Sequence, residues 1–324
     1  MGLESLDHGQ EAGVMVSSVF AETKAFGRRL ARYLGRSSEQ PQDPLAVYFQ
    51  RSSICGLNGL TLFLSFDCDT DWDIDVVAQL DAFLKDRNIV PTYAVPGAQL
   101  QRGRDVYAGL ARSGREFMNH GARAHAEWKG DQYVPVTFYQ DMTEDEIVAD
   151  IELGHRIVHD VTGTRPFGFR APHFGGFQRD EDLDLIYRTI GRLNYSYSST
   201  TVPEKALVNG PAWRVGEIME LPTSGSARYP HLILDTWTQL TDRRQYALGE
   251  SYYELFAETL DTFVRGGKSA LLTWYGDPSH SWGQTAFLKS MDLIAKRGIP
   301  SVSGSDAAVL CARAPSIGPQ SAAV

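Results

Sequence analysis

Cysteine is scarce. Three occur in 324 residues, Cys55, Cys68 and Cys311, and no two form a CxxC pair. That excludes a disulfide-stapled scaffold and a cysteine-based zinc knuckle. Long apolar runs are missing too: no stretch approaches the ~20 residues that cross a bilayer. Positive charge is in short supply, with 31 Lys and Arg against 40 Asp and Glu and a net charge of −9. The one early basic cluster, Arg28, Arg29 and Arg32, reads as the solvent face of a helix, so neither nucleic acid nor an anionic membrane is an expected partner. The N-terminus lacks a basic region followed by an apolar one and carries acidic residues early, so a cytoplasmic protein is the expectation.

What is present suits an ordinary globular chain, with 43% apolar and 22% charged residues and enough length to bury a large core. Helical periodicity over 16–35 ends at Gly35 and is followed by a polar linker at 37–44. From Leu60 onward strands and helices alternate. Leu60–Phe66 reads as a strand, 74–87 as a helix, 90–95 as a strand, 104–113 as a helix and 115–118 as a short strand. The helix over 143–161 opens with the capping box Thr143-Glu144-Asp145-Glu146 and stops at Gly163. A strand at 167–170, a helix at 181–190, a strand at 270–275 and a helix at 287–297 complete the series. Repeated strand–helix units predict a parallel sheet, closed as a barrel or open.

In parallel α/β barrels, chemistry collects at the C-terminal ends of the strands. That rim carries Asp67 and Asp69, His120 and His125, Arg170-Ala171-Pro172-His173, Asp235-Thr236-Trp237, and Tyr275 through His280. Asp67 and Asp69 are two apart at a strand end, so alternation points both at one spot. Two carboxylates held together need a metal, an arginine or a shared proton. An Asp-rich turn is the competing explanation, since Asp71, Asp73 and Asp75 follow. One Asp and two His form a facial ligand set for Zn²⁺ or a similar divalent ion, leaving positions open. Such an ion lowers the pKa of a bound water to about 7. A second carboxylate then takes its proton, an arginine keeps that carboxylate ionised, and a protonated His donates to a leaving amine.

These residues resemble the polysaccharide deacetylases with a NodB-type domain, carbohydrate esterase family four, from about Leu60 to Val309. Gly114-Arg-Glu-Phe-Met-Asn-His120 is similar to that family's metal-histidine segment. Asp150 through Thr162-Gly-Thr-Arg-Pro166 to Phe169-Arg-Ala-Pro172 is similar to its arginine segment and preceding helix. Tyr195–Ser199 and Ile218–Pro222 have its flavour. The resemblance implies a distorted (β/α) barrel of about seven parallel strands over 59–312, with an N-terminal helical extension at 1–58 and a disordered tail at 313–324. It implies Asp67 as base, Arg170 as its orienting partner, and Asp69, His120 and His125 as ligands of one divalent metal, Zn²⁺ first. Pro172 and His173 would face the substrate, with the His173 N–H at the oxyanion. Asp235, Trp237 and Tyr275 would support and flank an amino-sugar or glycan substrate.

Two departures from the family pattern stand out. Its metal histidines are usually four apart, whereas His120 and His125 are five apart, off one face of an α-helix. Water or Glu127 is the alternative third ligand. At the late strand, Trp274 or Tyr275 occupies the general acid's apparent position, and His280, five residues past Tyr275, becomes the expected acid. His155 and His159 have i,i+4 ligand spacing but project from the edge of a helix and read as surface residues. Trp72, Trp128 and Trp282 adjoin rim motifs and are candidates to stack on sugar faces. Three functions follow: removal of an N-acetyl group from an amino sugar of a glycan or glycan precursor; hydrolysis of a small non-sugar amide; or glycan binding by a degenerate barrel.

Overall fold

A computed structural model describes residues 43–265 and 268–317. The helix expected over 16–35, most of the linker at 37–44, and residues 318–324 lie outside the described residues.

The elements run α1 (Pro44–Ile54), β1 (Leu60–Asp67), α2 (Asp71–Lys85), β2 (Pro91–Val95), α3 (Gly97–Arg102), α4 (Arg104–Arg112) and β3 (Glu116–Asn119). A hairpin, β4 (Ala126–Lys129) and β5 (Gln132–Pro135), precedes α5 (Glu144–Thr162), β6 (Gly168–Phe169), α6 (Asp180–Arg192) and β7 (Tyr197–Ser198). Then come α7 (Pro203–Asn209), β8 (Trp213–Val215), β9 (Ile218–Glu220) and a second hairpin, β10 (Leu240–Asp242) and β11 (Ala247–Leu248). The chain closes with α8 (Glu250–Arg265), β12 (Ala270–Gly276), α9 (Pro278–Ser281), α10 (Thr285–Lys296) and α11 (Gly304–Leu310).

The main sheet has eight strands in the order β12-β1-β2-β3-β6-β7-β9-β8, and only β8 runs antiparallel, which leaves the seven parallel strands expected. The sheet curls into a half-barrel, and the chain leaving β9 reaches back to β12. Beyond β9, Ser224 N–H donates to the Thr273 carbonyl of β12 at 2.9 Å, and Thr273 N–H donates to Ser224 Oγ at 3.0 Å. Alternation sorts the strands' side chains. Leu62, Leu64 and Phe66 of β1 pack with Leu272 and Trp274 of β12 in a helix-facing layer, while Phe63 and Leu271 join Met118 and Tyr197 in a separate cluster. The Phe63 face of β1 therefore also carries Ser65 and Asp67, and the Leu271 face of β12 carries Thr273 and Tyr275.

The helix starts obey their caps. Thr70 and Asp73 form a capping box on α2, and Thr143 and Glu146 form the expected one on α5. Gly163 ends α5 at φ 74°, a left-handed turn that glycine takes without strain.

Both ends of the barrel extend further than the sequence suggests. The compact unit begins at Pro44, so residues 44–58 are part of it. Tyr48 of α1 is buried and its hydroxyl donates to the Leu271 carbonyl at 2.5 Å. At the other end, Arg214 of β8 pairs with the 313–317 stretch: its N–H donates to the Pro315 carbonyl at 2.9 Å and its carbonyl accepts from Ile317 N–H at 2.8 Å. This part of the expected tail is ordered because the edge strand β8 offers it unpaired backbone groups. Tyr48→Ala empties a core position and strands a carbonyl. It is expected to destabilise the chain by about 3 kcal/mol or more, read as a lower urea midpoint. A midpoint equal to wild type would return α1 to the status of an accessory.

Candidate active site

Asp67 ends β1 on the inward face, and Arg170 immediately follows β6. Arg170 is fully buried, and its guanidinium reaches both Asp67 and Ser199: Nη1 donates to Asp67 Oδ1 at 2.6 Å, while Nε and Nη2 donate to the carbonyl and hydroxyl of Ser199 at 3.1 and 3.0 Å. The Ser199 segment is itself held from behind. Glu220, fully buried at the end of β9, accepts from Thr200 N–H and Thr201 N–H, each at 2.9 Å, and from the Thr201 hydroxyl at 2.8 Å. The arginine is thus fixed through a chain of hydrogen bonds running across β6, β7 and β9.

The two candidate metal histidines, His120 and His125, stand on a loop, which accounts for their spacing. His120 follows β3, and the chain turns at once through Gly121 at φ 77°. A Cβ on Gly121 would lie 2.3 Å from Asp150 Oδ2, so only glycine fits. Asp150 of α5 accepts from Ala122 N–H and Arg123 N–H at 3.1 and 2.9 Å, and from Tyr139 hydroxyl at 2.9 Å. Gly97 and Ala98 N–H donate to the carbonyls of Gly121 and Ala122, each at 2.9 Å, and Val136 N–H donates to that of His125 at 2.7 Å. Pinned on several sides, the loop returns His125 to His120 with ring centroids 4.3 Å apart. Helical phase is irrelevant here, so the five-residue spacing is no obstacle. Glu127, the alternative ligand, is exposed and pairs with Lys129.

Asp69 Oδ1 lies 3.1 Å from His125 Nδ1 and 3.7 Å from His120 Nε2. Among the described residues Asp69, His120 and His125 are the one group of His, Cys, Asp and Glu side chains able to hold a metal, with ligand atoms all within 4.8 Å of one another. The donor set fits such an ion on two further counts. His120 Nδ1–H donates to the Arg170 carbonyl at 2.8 Å, which leaves Nε2 as a lone pair facing both aspartates. His125 Nε2 is buried without a hydrogen-bond partner.

The charge states follow from burial and neighbours. Burial, with His125 beside it, holds His120 well below the ordinary imidazole range, so the ring is neutral. Burial alone would raise Asp69, but His125 and His120 outweigh it and keep that carboxyl low. Burial raises Asp67 above the carboxylate range, Arg170 pulls it back, and Asp69 and Asp277 push it up again.

The opposite wall comes from β12 and α9. Tyr275 donates its hydroxyl to Asp235 Oδ2 at 2.9 Å. Burial and the charges of Asp235, Asp67 and Asp277 keep that phenol un-ionised. Trp274 points the other way, buried against Phe256. His280, in α9, has Nδ1 2.9 Å from Asp277 Oδ2. Burial opposes its protonation, but Asp277, with Asp73 and Asp235, outweighs burial and raises its pKa. Asp277 is fixed by Thr236, whose hydroxyl lies 3.1 Å from Asp277 N and 3.3 Å from its Oδ2.

A cavity of about 340 Å³ joins these groups. Asp67, Asp69, His120, His125, His173, Trp237, Tyr275, Asp277 and His280 all line it. Three expected site residues stand behind the wall: Arg170 and Asp235 act through Asp67 and Tyr275, and Pro172 is buried in the turn. His173 takes a left-handed φ of 42°, and its Nε2 contacts the carbonyls of Val136 and His125 at 2.9 and 3.2 Å. Trp72 and Trp128 pack on each other rather than on the cavity, and Trp282 packs on Phe83. His155 bonds to Tyr195 and joins no metal group. The sequence pattern does not single out Asp277; its one signal is an Asp at the N-cap position of a short helix, three residues before His280.

Fold and rim together define an α/β barrel with a two-aspartate, two-histidine centre. The sequence matches no protein-family profile and no curated protein. Its structure does have likenesses. A Mycobacterium smegmatis protein described as a polysaccharide deacetylase superposes with TM-score 0.61 at 18% identity, covering 78% of this chain and 90% of its own. A Pseudomonas aeruginosa PAO1 protein of the same description gives 0.55 at 14%, covering 85% and 98%. The allantoinase Puue gives 0.53 at 14%, covering 84% and 97%. The chain therefore has the polysaccharide deacetylase fold, in a divergent form. Among the described residues no helix is long and apolar enough to cross a membrane.

Proposed function

We propose that the chain is a metal-dependent hydrolase of the polysaccharide deacetylase family that removes an N-acetyl group from an amino sugar of a glycan or glycan precursor. The observation that carries this is the neighbourhood of Asp67. It sits in ion-pair contact with Arg170 and 3.7 Å from His120, beside a separate ligand set. A binding barrel has no use for a base distinct from the metal ligands.

Asp69, His120 and His125 would hold one divalent ion, Zn²⁺ by the chemistry of an imidazole–carboxylate set. When bound it supplies Lewis acidity to the acyl carbonyl and acidifies a water. Asp67 would take the proton of the attacking water at its carboxylate, and Arg170, fixed by Ser199, holds that carboxylate in place. The His173 N–H donates to the oxyanion. His280 returns a proton to the leaving nitrogen. It suits the task better than Tyr275, whose proton is given to Asp235. Trp237, half-exposed on the cavity wall, flanks the sugar.

A small non-sugar amide is the second reading, and the apolar residues on the wall, Val134, Pro135, Phe138 and Ile233, favour it. Metal analysis followed by acetate release from N-acetyl sugars and simple acetamides separates the two. Turnover of the amides alone would reject the sugar, and metal-free protein with no turnover would reject the enzyme.

Asp277 supplies a pH test. It raises the pKa of His280, so the protonated acid persists to higher pH with Asp277 than without it. Asp277→Asn removes that support, and the alkaline limb of kcat/KM is expected to move to lower pH. An unmoved alkaline limb would take the donor's role away from His280.

A further inference from the structure

Two hairpins inserted at the rim meet over the first strands of the barrel. β4–β5 follows β3, and β10–β11 precedes α8 and β12; in the sheet, β1 and β2 lie between β3 and β12. The hairpins converge on Trp72, at the start of α2 just after β1. Trp128 and Tyr133 of the first hairpin stand 5.3 and 5.4 Å from Trp72 by ring centroids, and Tyr246 of the second stands 5.0 Å away. Outside this cluster Asp131 of one hairpin pairs with Arg244 of the other at 3.0 Å. The inner faces are cavity wall: Tyr133 and Tyr246 both line it, and Tyr246 stacks edge-on against His280 at 4.0 Å.

We propose that this aromatic bridge closes one side of the active site, so that the cavity takes a single N-acylated sugar, free or at a chain end, and excludes the interior of a polysaccharide. The inference rests on the deacetylase reading and narrows its substrate. A polymer threaded through the site needs an exit on both sides of the reacting unit. On the side of β1 and β2 that exit is filled by four packed rings and an ion pair. The volume agrees: about 340 Å³ lies at the small end of ligand pockets, which run from about 300 to 1,000 Å³. The bridge also keeps water from the acid His280, whose outer face Tyr246 covers. Tyr133, Trp237 and Tyr246 line the same cavity and offer ring faces or edges to a sugar ring held in it.

The test is a chain-length series on the zinc-loaded full chain, with N-acetylglucosamine and its β-1,4-linked pentamer as probes. Acetate release from the pentamer is scored per internal unit. The expected result is a kcat/KM about 100-fold lower for internal units than for the monomer, the scale of loss when a reacting group is held out of position. A kcat/KM that rises with chain length would overturn the proposal and leave the deacetylase reading intact. Absence of acetate from both probes would instead reject that reading. The size claim is then decided by calorimetric titration of the same two ligands, where tighter binding of the pentamer, or binding of neither, overturns it. Replacing 128–133 by Asn-Gly opens the bridge and is expected to raise the pentamer-to-monomer ratio. Because that change removes packing, Arg244→Asp, which sets like charges across the hairpins, provides a milder variant with the same expected direction. An unchanged ratio in both variants would also count against the bridge.

Discussion

Asp67→Asn is expected to keep its metal and lose about 10²–10⁴-fold in acyl release, the range for removal of a general base. Asparagine has the same shape and can still accept from Arg170, so the ligand set of Asp69, His120 and His125 is left as it was. What disappears is the charge. Arg170 is fully buried, and a buried ion without its partner costs about 3–5 kcal/mol. Ser199 still accepts from two guanidinium nitrogens, which puts the loss at the low end of that range. The variant is therefore to be compared below its own melting transition, with metal content measured on the same sample. Turnover within a few-fold of wild type in a folded, metal-replete variant would make Asp67 a counterion for Arg170 and nothing more.

Asp69→Ala and His120→Ala are expected to take the metal from about one ion per chain to near zero, and activity with it. Asp69 stands between the two histidines, so its removal deletes one ligand and unpins another. His120→Ala removes the ring whose orientation the Arg170 carbonyl fixes. Chelation of the wild type should reproduce both losses, and added Zn²⁺ should restore the wild type but neither variant. His125→Ala settles the spacing question: metal retained there but lost from the other two would leave a centre with two protein ligands. Metal retained in all three would dissolve the site.

The strongest parts of this site were legible because they depend on local rules. Period-two alternation puts Asp67 on the inward face of β1; Asp69, two residues on and past the strand's end, lies as close to His120 as Asp67 does, and the Thr143–Glu146 box fixes the start of α5. The same rules are silent where a feature is short or non-local. β6 and β7 have two residues each, too few to show a period. The His120–His125 loop owes its shape to a left-handed glycine and to Asp150, a carboxylate nearly thirty residues away whose function is invisible until α5 packs. Glu220 supports Arg170 at one remove, through the Ser199–Thr201 segment, a relation with no sequence signature. The strands of the two hairpins are two to four residues long, too short for alternation to reveal them, and the packing between them becomes evident only when both reach Trp72.

The joint between β9 and β12 has a consequence for how this protein fails under heat. Elsewhere the sheet's strands are zipped by paired backbone ladders, but here one serine spans the gap. The chain leaving that serine continues to Asp235 and Thr236, which carry Tyr275 and Asp277. The support that Asp235 and Thr236 give Tyr275 and Asp277 therefore hangs from this short closure, while Asp67 is held by the buried Arg170. Fraying at the gap is expected to withdraw that support and to leave the Asp69, His120 and His125 cluster in place. Activity is then expected to fall below the melting transition and to return on cooling, with metal content on the same sample unchanged; activity and structure lost together would count against this.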